Sequence, residues 1–205
     1  MAEAFDKQAL LRAFDLIGRA AVASNLVLDI AIYGDSALML ASSFRSATED
    51  VDIAEIGLPW PGWLVSEVLT IARLNGWSQD WLNAAGQFYL SPLADRAVVH
   101  HEFGTFPRGG QPGLRIMVPS LPYMLALKLR AMRINDPAKG AVETADIQNL
   151  IRASGLRDVE EAIAVLAKFF PKSGRDAGMQ RFFLKHIWPK QEDGTDASKY
   201  PVIGR

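Results

Sequence analysis

A chain of 205 residues, 49% of them hydrophobic, is long and apolar enough to bury a sizeable core, and the absence of cysteine excludes disulfides, thiolate metal sites and cysteine nucleophiles. With 22 basic against 23 acidic residues the net charge is −1, so no global field draws nucleic acid or membrane to the protein. The opening Met1-Ala-Glu-Ala-Phe-Asp-Lys7 has neither the basic nor the apolar region of a signal peptide, and no apolar run reaches membrane-spanning length. A cytoplasmic protein that does not engage a membrane is expected.

Ala4 to about Val22 is predicted as a helix, because Leu10, Phe14, Ile17 and Ala21 fall on one stripe. Val27–Tyr33 is apolar and β-branched and stops at Gly34, which predicts a buried strand ending in a turn. Asp35 or Ser36 then caps a helix from Ala37 to about Ser43. Asp50–Ile56 alternates as a second strand that puts Asp50, Asp52 and Ala54 on one face. Leu58-Pro-Trp-Pro-Gly-Trp63 is an aromatic turn, Leu64–Leu74 a helix broken at Asn75-Gly76, and Trp77–Asn83 a short helical turn.

Ala97–Phe103 and Leu114–Val118 complete a sheet of about four strands, joined by a loop rich in Gly and Pro. Helical patterns follow at Leu121–Met132, Lys139–Ala153, Val159–Phe170 and Asp176–His186. The fold class is therefore α+β: a small mixed sheet flanked by helices over residues 1–119, a helical part over 120–188, and an extended tail over 189–205. A local basic patch is sought at Lys128, Arg130 and Arg133. His100 and His101 are neighbours on a strand, face opposite ways and are read as structural, and His186 is read as a partner for a helix C-terminus. Trp60, Trp63, Trp77 and Trp81 are read as packing residues.

The chemistry concentrates between Gly34 and Asp52. Two carboxylates on one strand face repel each other unless a cation lies between them, and carboxylates suit Mg²⁺, a hard ion that prefers oxygen donors. A glycine at 34 admits close backbone approach to a phosphate, and Ser36 at a helix amino end offers a hydroxyl with free N–H groups. The plainer alternatives are a turn glycine, a helix-capping serine, a surface Arg45 and a strand-entry Thr48. Lys128 stands in the otherwise apolar Met124–Met132, where an ammonium can neutralise phosphate or snorkel to the rim. Asp146 can orient that lysine or accept a proton from an attacking hydroxyl.

In their shared order, Gly34-Asp-Ser-Ala-Leu38, Arg45, Thr48-Glu-Asp-Val-Asp52, Leu125–Arg133 and Asp146–Leu150 resemble the DNA polymerase β-type nucleotidyltransferase superfamily, within it the AbiEii-type toxins and related nucleotidyltransferase-like proteins. The resemblance implies Mg²⁺- or Mn²⁺-dependent transfer of a nucleoside monophosphate from an NTP to an RNA or protein hydroxyl, as the toxin of a toxin-antitoxin pair whose antitoxin is a further partner. It assigns triphosphate to Gly34 and Ser36, with Arg45 and Thr48 nearby, the metal to Asp50 and Asp52, and further catalytic roles to Lys128 and Asp146. Two departures stand out: Asp35 follows Gly34 where the family has Gly or Ser, and Arg115–Val118 supplies no third carboxylate, leaving Glu102 as the nearest candidate metal ligand. These departures keep two alternatives open, a catalytically inactive nucleotide- or partner-binding module and a helical interaction or antitoxin-like protein.

Overall fold

The computed structural model describes residues 4–42, 44–55, 60–132, 134, 136–137 and 139–189. Arg133, the end of the expected strand at Ile56, the Leu58-Pro59 start of the aromatic turn, and the tail beyond Pro189 lie outside the described residues. The described residues form two compact units, one of residues 4–88 with 100–119, the other of residues 89–99 with 120–189. The class is α+β.

In the first unit the central strand β2 spans Leu28–Tyr33 and runs antiparallel to β4 (Val51–Glu55) and parallel to β7 (Leu114–Pro119). Strand β6 (His100–Phe106) pairs antiparallel with β7, and the two-residue β5 (Leu82–Asn83) pairs parallel with β4, giving the order β5-β4-β2-β7-β6. A separate ribbon joins β1 (Phe5–Asp6) to β3 (Ala47–Thr48). Strand pleating sorts the sheet chemically. Ladder partners such as Ile32 and Ile53, or Ile30 and Ile116, are buried apolar pairs, whereas the alternate positions carry Asp29, Tyr33, Asp52 and Arg115. Asp29 and Arg115, opposite each other, form an ion pair at 3.2 Å.

Helix α1 (Lys7–Ala23) buries the anticipated stripe of Leu10, Phe14, Ile17 and Ala21. It starts at Lys7 because the Asp6 carboxylate accepts from Ala9 N–H at 2.7 Å, an N-cap that satisfies one orphan donor. Gly18 lets α1 close on β6, since a Cβ there would lie 2.5 Å from the backbone of Phe106. Helix α2 (Gly34–Ala41) is buried from Ser36 to Ala41. Helix α3 (Gly62–Asn75) ends at Gly76, whose φ of 69° is the left-handed C-terminal cap glycine supplies.

Trp77–Asn83 is not the anticipated helical turn. Val51 N–H takes the Trp81 carbonyl at 2.6 Å, which draws Leu82–Asn83 into the sheet as β5. The Trp81 indole donates to Val68 O at 3.1 Å, and Trp77 packs its ring 4.2 Å from Phe5 and 5.0 Å from Trp81. The tryptophans at 77 and 81 are therefore core residues.

The second unit is helical. Residues 97–99, expected as the start of a strand, instead form with Arg96 the single turn α4 (Arg96–Val99), held by Val98 and Val99 N–H donating to Asp95 O and by the Asp95 carboxylate accepting from Ala97 N–H. Helices α5 (Leu121–Ala131), α6 (Gly140–Ala153), α7 (Val159–Phe169), α8 (Pro171–Arg175) and α9 (Gly178–Ile187) enclose Leu125, Leu129, Ile147, Leu150, Leu166 and Leu184. Ser91 ties the 89–99 segment to this core, its N–H donating to the Tyr123 hydroxyl at 2.9 Å and its hydroxyl donating to Phe169 O at 2.5 Å. Among the described residues no helix is long and apolar enough to cross a membrane.

Candidate functional site

Antiparallel pairing of β2 with β4 sets Tyr33 opposite Asp52, so the residue after Tyr33 necessarily lies beside the Asp52 carboxylate. That residue is Gly34, at φ +65°, where a Cβ would stand 3.0 Å from Asp52 Oδ2. The conformation and the close approach both favour glycine. Gly86, in the 3-10 turn at Ala85–Tyr89, closes the other side: a Cβ there would lie 3.3 Å from the Asp52 Cβ, Cγ and Oδ1. The half-buried carboxylate is thus held between two backbone segments. Sequence reasoning missed Gly86, because residues 77–83 were expected as a helical turn and not as the route to a strand beside Asp52.

Helix α2 opens at Gly34, three residues before the anticipated start, with the extended Tyr33 as its N-cap and no side-chain cap from Asp35 or Ser36. The Ser36 hydroxyl is buried and donates to Tyr33 O at 2.9 Å, inside the first turn. It is therefore committed to the helix's own backbone. Asp35, favoured electrostatically by the first turn of α2, pairs with Arg45 at 3.2 Å. The acidic residue that departs from the family pattern is thus matched by the very arginine assigned to phosphate.

Asp50 is exposed just before β4 begins, so strand pleating governs Asp52 and Ala54 but not Asp50. Thr48, buried in β3, donates its hydroxyl to Asp50 O at 2.9 Å and fixes the turn into β4. Glu102 is exposed on β6 opposite Met117, which pairs with Ala31, which pairs with Ala54. Three strand spacings, about 14 Å, separate Glu102 from β4, too far for one cation to bridge it to Asp52. The structure gives Asp52 no ligand partner in Glu102.

At the far end of the Asp52 row, His100 is buried and its Nε2 shares a 2.7 Å hydrogen bond with the Tyr33 hydroxyl, while His101 is exposed. His100 thus has a buried structural partner, while His101 faces the other way at the surface.

In the second unit Lys128 is 8% exposed and its ammonium lies 3.1 Å from both oxygens of Glu143 and 2.9 Å from Asp146 Oδ2. Glu143 and Asp146 are themselves buried. They are three apart on α6 and so share a face, a spacing that could have flagged Glu143 in the sequence. Arg130 donates to Tyr89 O at 2.6 Å and lies 4.5 Å over the Phe170 ring. Lys128 is thus spent on two buried carboxylates and adds nothing to the basic patch expected there, whereas Arg130 is exposed. His186 donates from Nδ1 to Phe182 O at 2.7 Å, in the last turn of α9.

No protein-family model, curated protein or solved structure matches the chain.

Proposed function

We propose that the chain is a cytoplasmic nucleotidyltransferase-like protein that moves a nucleoside monophosphate from an NTP to an acceptor hydroxyl. The observation that carries this reading is the juxtaposition of the Gly34 turn with the Asp52 carboxylate. A left-handed glycine opening a buried helix gives phosphate oxygens access to backbone N–H groups. Asp52, gripped between Gly34 and Gly86, presents its carboxylate at that same turn.

Asp50 and Asp52 are oxygen donors of the type Mg²⁺ takes, and they are the residues that would hold it. When bound, the ion would supply charge neutralisation for the leaving pyrophosphate. Thr48 holds the turn that carries Asp50, and Arg45 supplies positive charge beside the phosphate turn. Glu143 and Asp146 orient the Lys128 ammonium. The proposal includes the toxin role with an antitoxin partner that the resemblance implies.

Incubation with each labelled NTP, Mg²⁺ or Mn²⁺, and total RNA or lysate tests it. Label should transfer with the parent protein and not with the Asp50→Ala, Asp52→Ala double variant; equal labelling by both overturns the catalytic reading. The Arg45–Asp35 pair and the remoteness of Glu102 favour a second reading, nucleotide binding without turnover. Nucleotide-dependent thermal stabilisation without transfer would select it.

A further inference from the structure

Although the chain carries a net charge of −1, the stretch from Lys168 to His186 has five basic residues, Lys168, Lys172, Arg175, Arg181 and Lys185, against the single acidic Asp176. All but Arg181 are exposed, and Arg181 is tied to Glu160 at 2.9 Å. Within the second unit, α7, α8 and α9 form a groove of about 540 Å³ lined by Ile163, Ala164, Ala167 and Pro171, by Arg175, and by Arg181 with its carboxylate partner Glu160. Gly174 makes the groove's tight corner, since a Cβ there would meet the Ala167 Cβ at 2.4 Å. On α9, Met179 and Phe182 are 55% and 59% exposed, and the Phe182 ring lies 4.5 Å from the His186 ring at a tilt of 46°.

Lys185 stands three residues from Phe182 on α9 and shares its face, and an exposed cation on the face of an exposed aromatic has a specific complement. Phosphates neutralise the cations, and unpaired bases stack on the rings, which a double helix cannot offer because its bases are already stacked. An acidic peptide would satisfy the cations and leave Phe182 and His186 without a reason to be exposed together. We infer that the α8–α9 face of the second unit binds single-stranded nucleic acid, with Lys172, Arg175 and Lys185 on the phosphates and Phe182 as the stacking platform. It rests on the proposed transferase reading only in taking the bound strand as the acceptor; binding itself needs no turnover.

Fluorescence anisotropy with a labelled 20-nucleotide single-stranded RNA, its DNA equivalent and the RNA duplex, across about 50 to 200 mM salt, tests the inference. The parent protein should bind the single strands with salt-dependent affinity and the duplex more weakly, and the RNA and DNA arms identify which strand is preferred. Lys172→Glu with Arg175→Glu should weaken binding at least tenfold and flatten the salt dependence, whereas Phe182→Ala should weaken it about tenfold with the salt slope unchanged. Arg73→Glu, an exposed charge on α3, should bind like the parent. No single-strand binding by the parent overturns the inference. So does preference for duplex, a loss in Arg73→Glu equal to that in the double variant, or capture of a lysate protein in place of the single strand. Asp52→Asn separates the two proposals: strand binding retained while no protein labels an acceptor leaves this surface standing and removes the transferase reading.

Discussion

Replacing Lys128 by methionine keeps an unbranched chain of similar volume and removes one charge from a buried trio, so the packing of α5 is preserved while Glu143 and Asp146 lose their cation. Breaking a buried ion pair by deleting one partner costs about 3–5 kcal/mol, because the remaining charges stay desolvated and lose that compensation. The geometry places this case toward the upper end: Nζ lies 2.9–3.1 Å from three carboxylate oxygens, on side chains 6% and 2% exposed. At about 2–4 °C per kcal/mol for a chain of this size, the midpoint of thermal unfolding should fall by roughly 6–20 °C. Urea unfolding followed by circular dichroism measures the free energy directly. The decisive companion is Lys128→Met with Glu143→Gln and Asp146→Asn, which removes all three charges and should recover at least half the loss. A single variant within about 1 kcal/mol of the parent would refute the argument, as would a triple variant no more stable than the single one.

Gly18→Ala should gain about 1 kcal/mol of helix propensity and lose about 3 or more to collision with the rigid Phe106 backbone, a net destabilisation measurable by urea unfolding. Gly62→Ala in the first turn of α3, where nothing lies within 4 Å, should be neutral or stabilising by up to about 1 kcal/mol in the same assay. Tyr33→Phe removes the hydroxyl's 2.7 Å hydrogen bond with the buried His100 ring and should cost about 1–3 kcal/mol with little change in volume. Burial pushes the Asp15 carboxyl up, but hydrogen bonds from the Arg108 side chain and backbone, with its charge, outweigh this and hold the group below its ordinary value. A depressed carboxyl stabilises the fold above its unfolded pKa and loses that contribution as pH falls through the folded one. Asp15→Asn should therefore cost about 1 kcal/mol at pH 7, with the gap to the parent closing progressively below about pH 4.

The alternation at Val51–Ile53, the stripe on α1 and the order of the C-terminal helices were all readable, because each is a local pattern whose period matches its element. What escaped depends on distant partners. Residues 77–83 look helical in isolation, yet the Val51 amide claims the Trp81 carbonyl and pulls Leu82–Asn83 into the sheet. The same holds for β1 and β3, two-residue pairings with no period of their own. At the candidate site the Gly34–Asp52 order was legible because consecutive strands pair. The commitment of Ser36 to Tyr33 O, the Asp35–Arg45 pair and the Gly86 contact were not, since each needs three-dimensional neighbours.

The excursion at residues 89–99 has a consequence for how this chain is made. The polypeptide leaves the sheet-bearing unit after Phe88, returns at His100 and leaves again after Pro119. Ser91 depends on Tyr123 and Phe169, which emerge from the ribosome about 30 and about 80 residues later; at typical synthesis rates the segment waits some seconds for its second partner. During that interval β6 and β7 can already close the sheet, since all five strands precede Ser120. A fragment ending at Pro119 would therefore keep its complete sheet while carrying a stranded loop with exposed Leu93 and Val98. The natural cut between the two units is not a single point in the chain, and any attempt to separate them has to excise that loop as well.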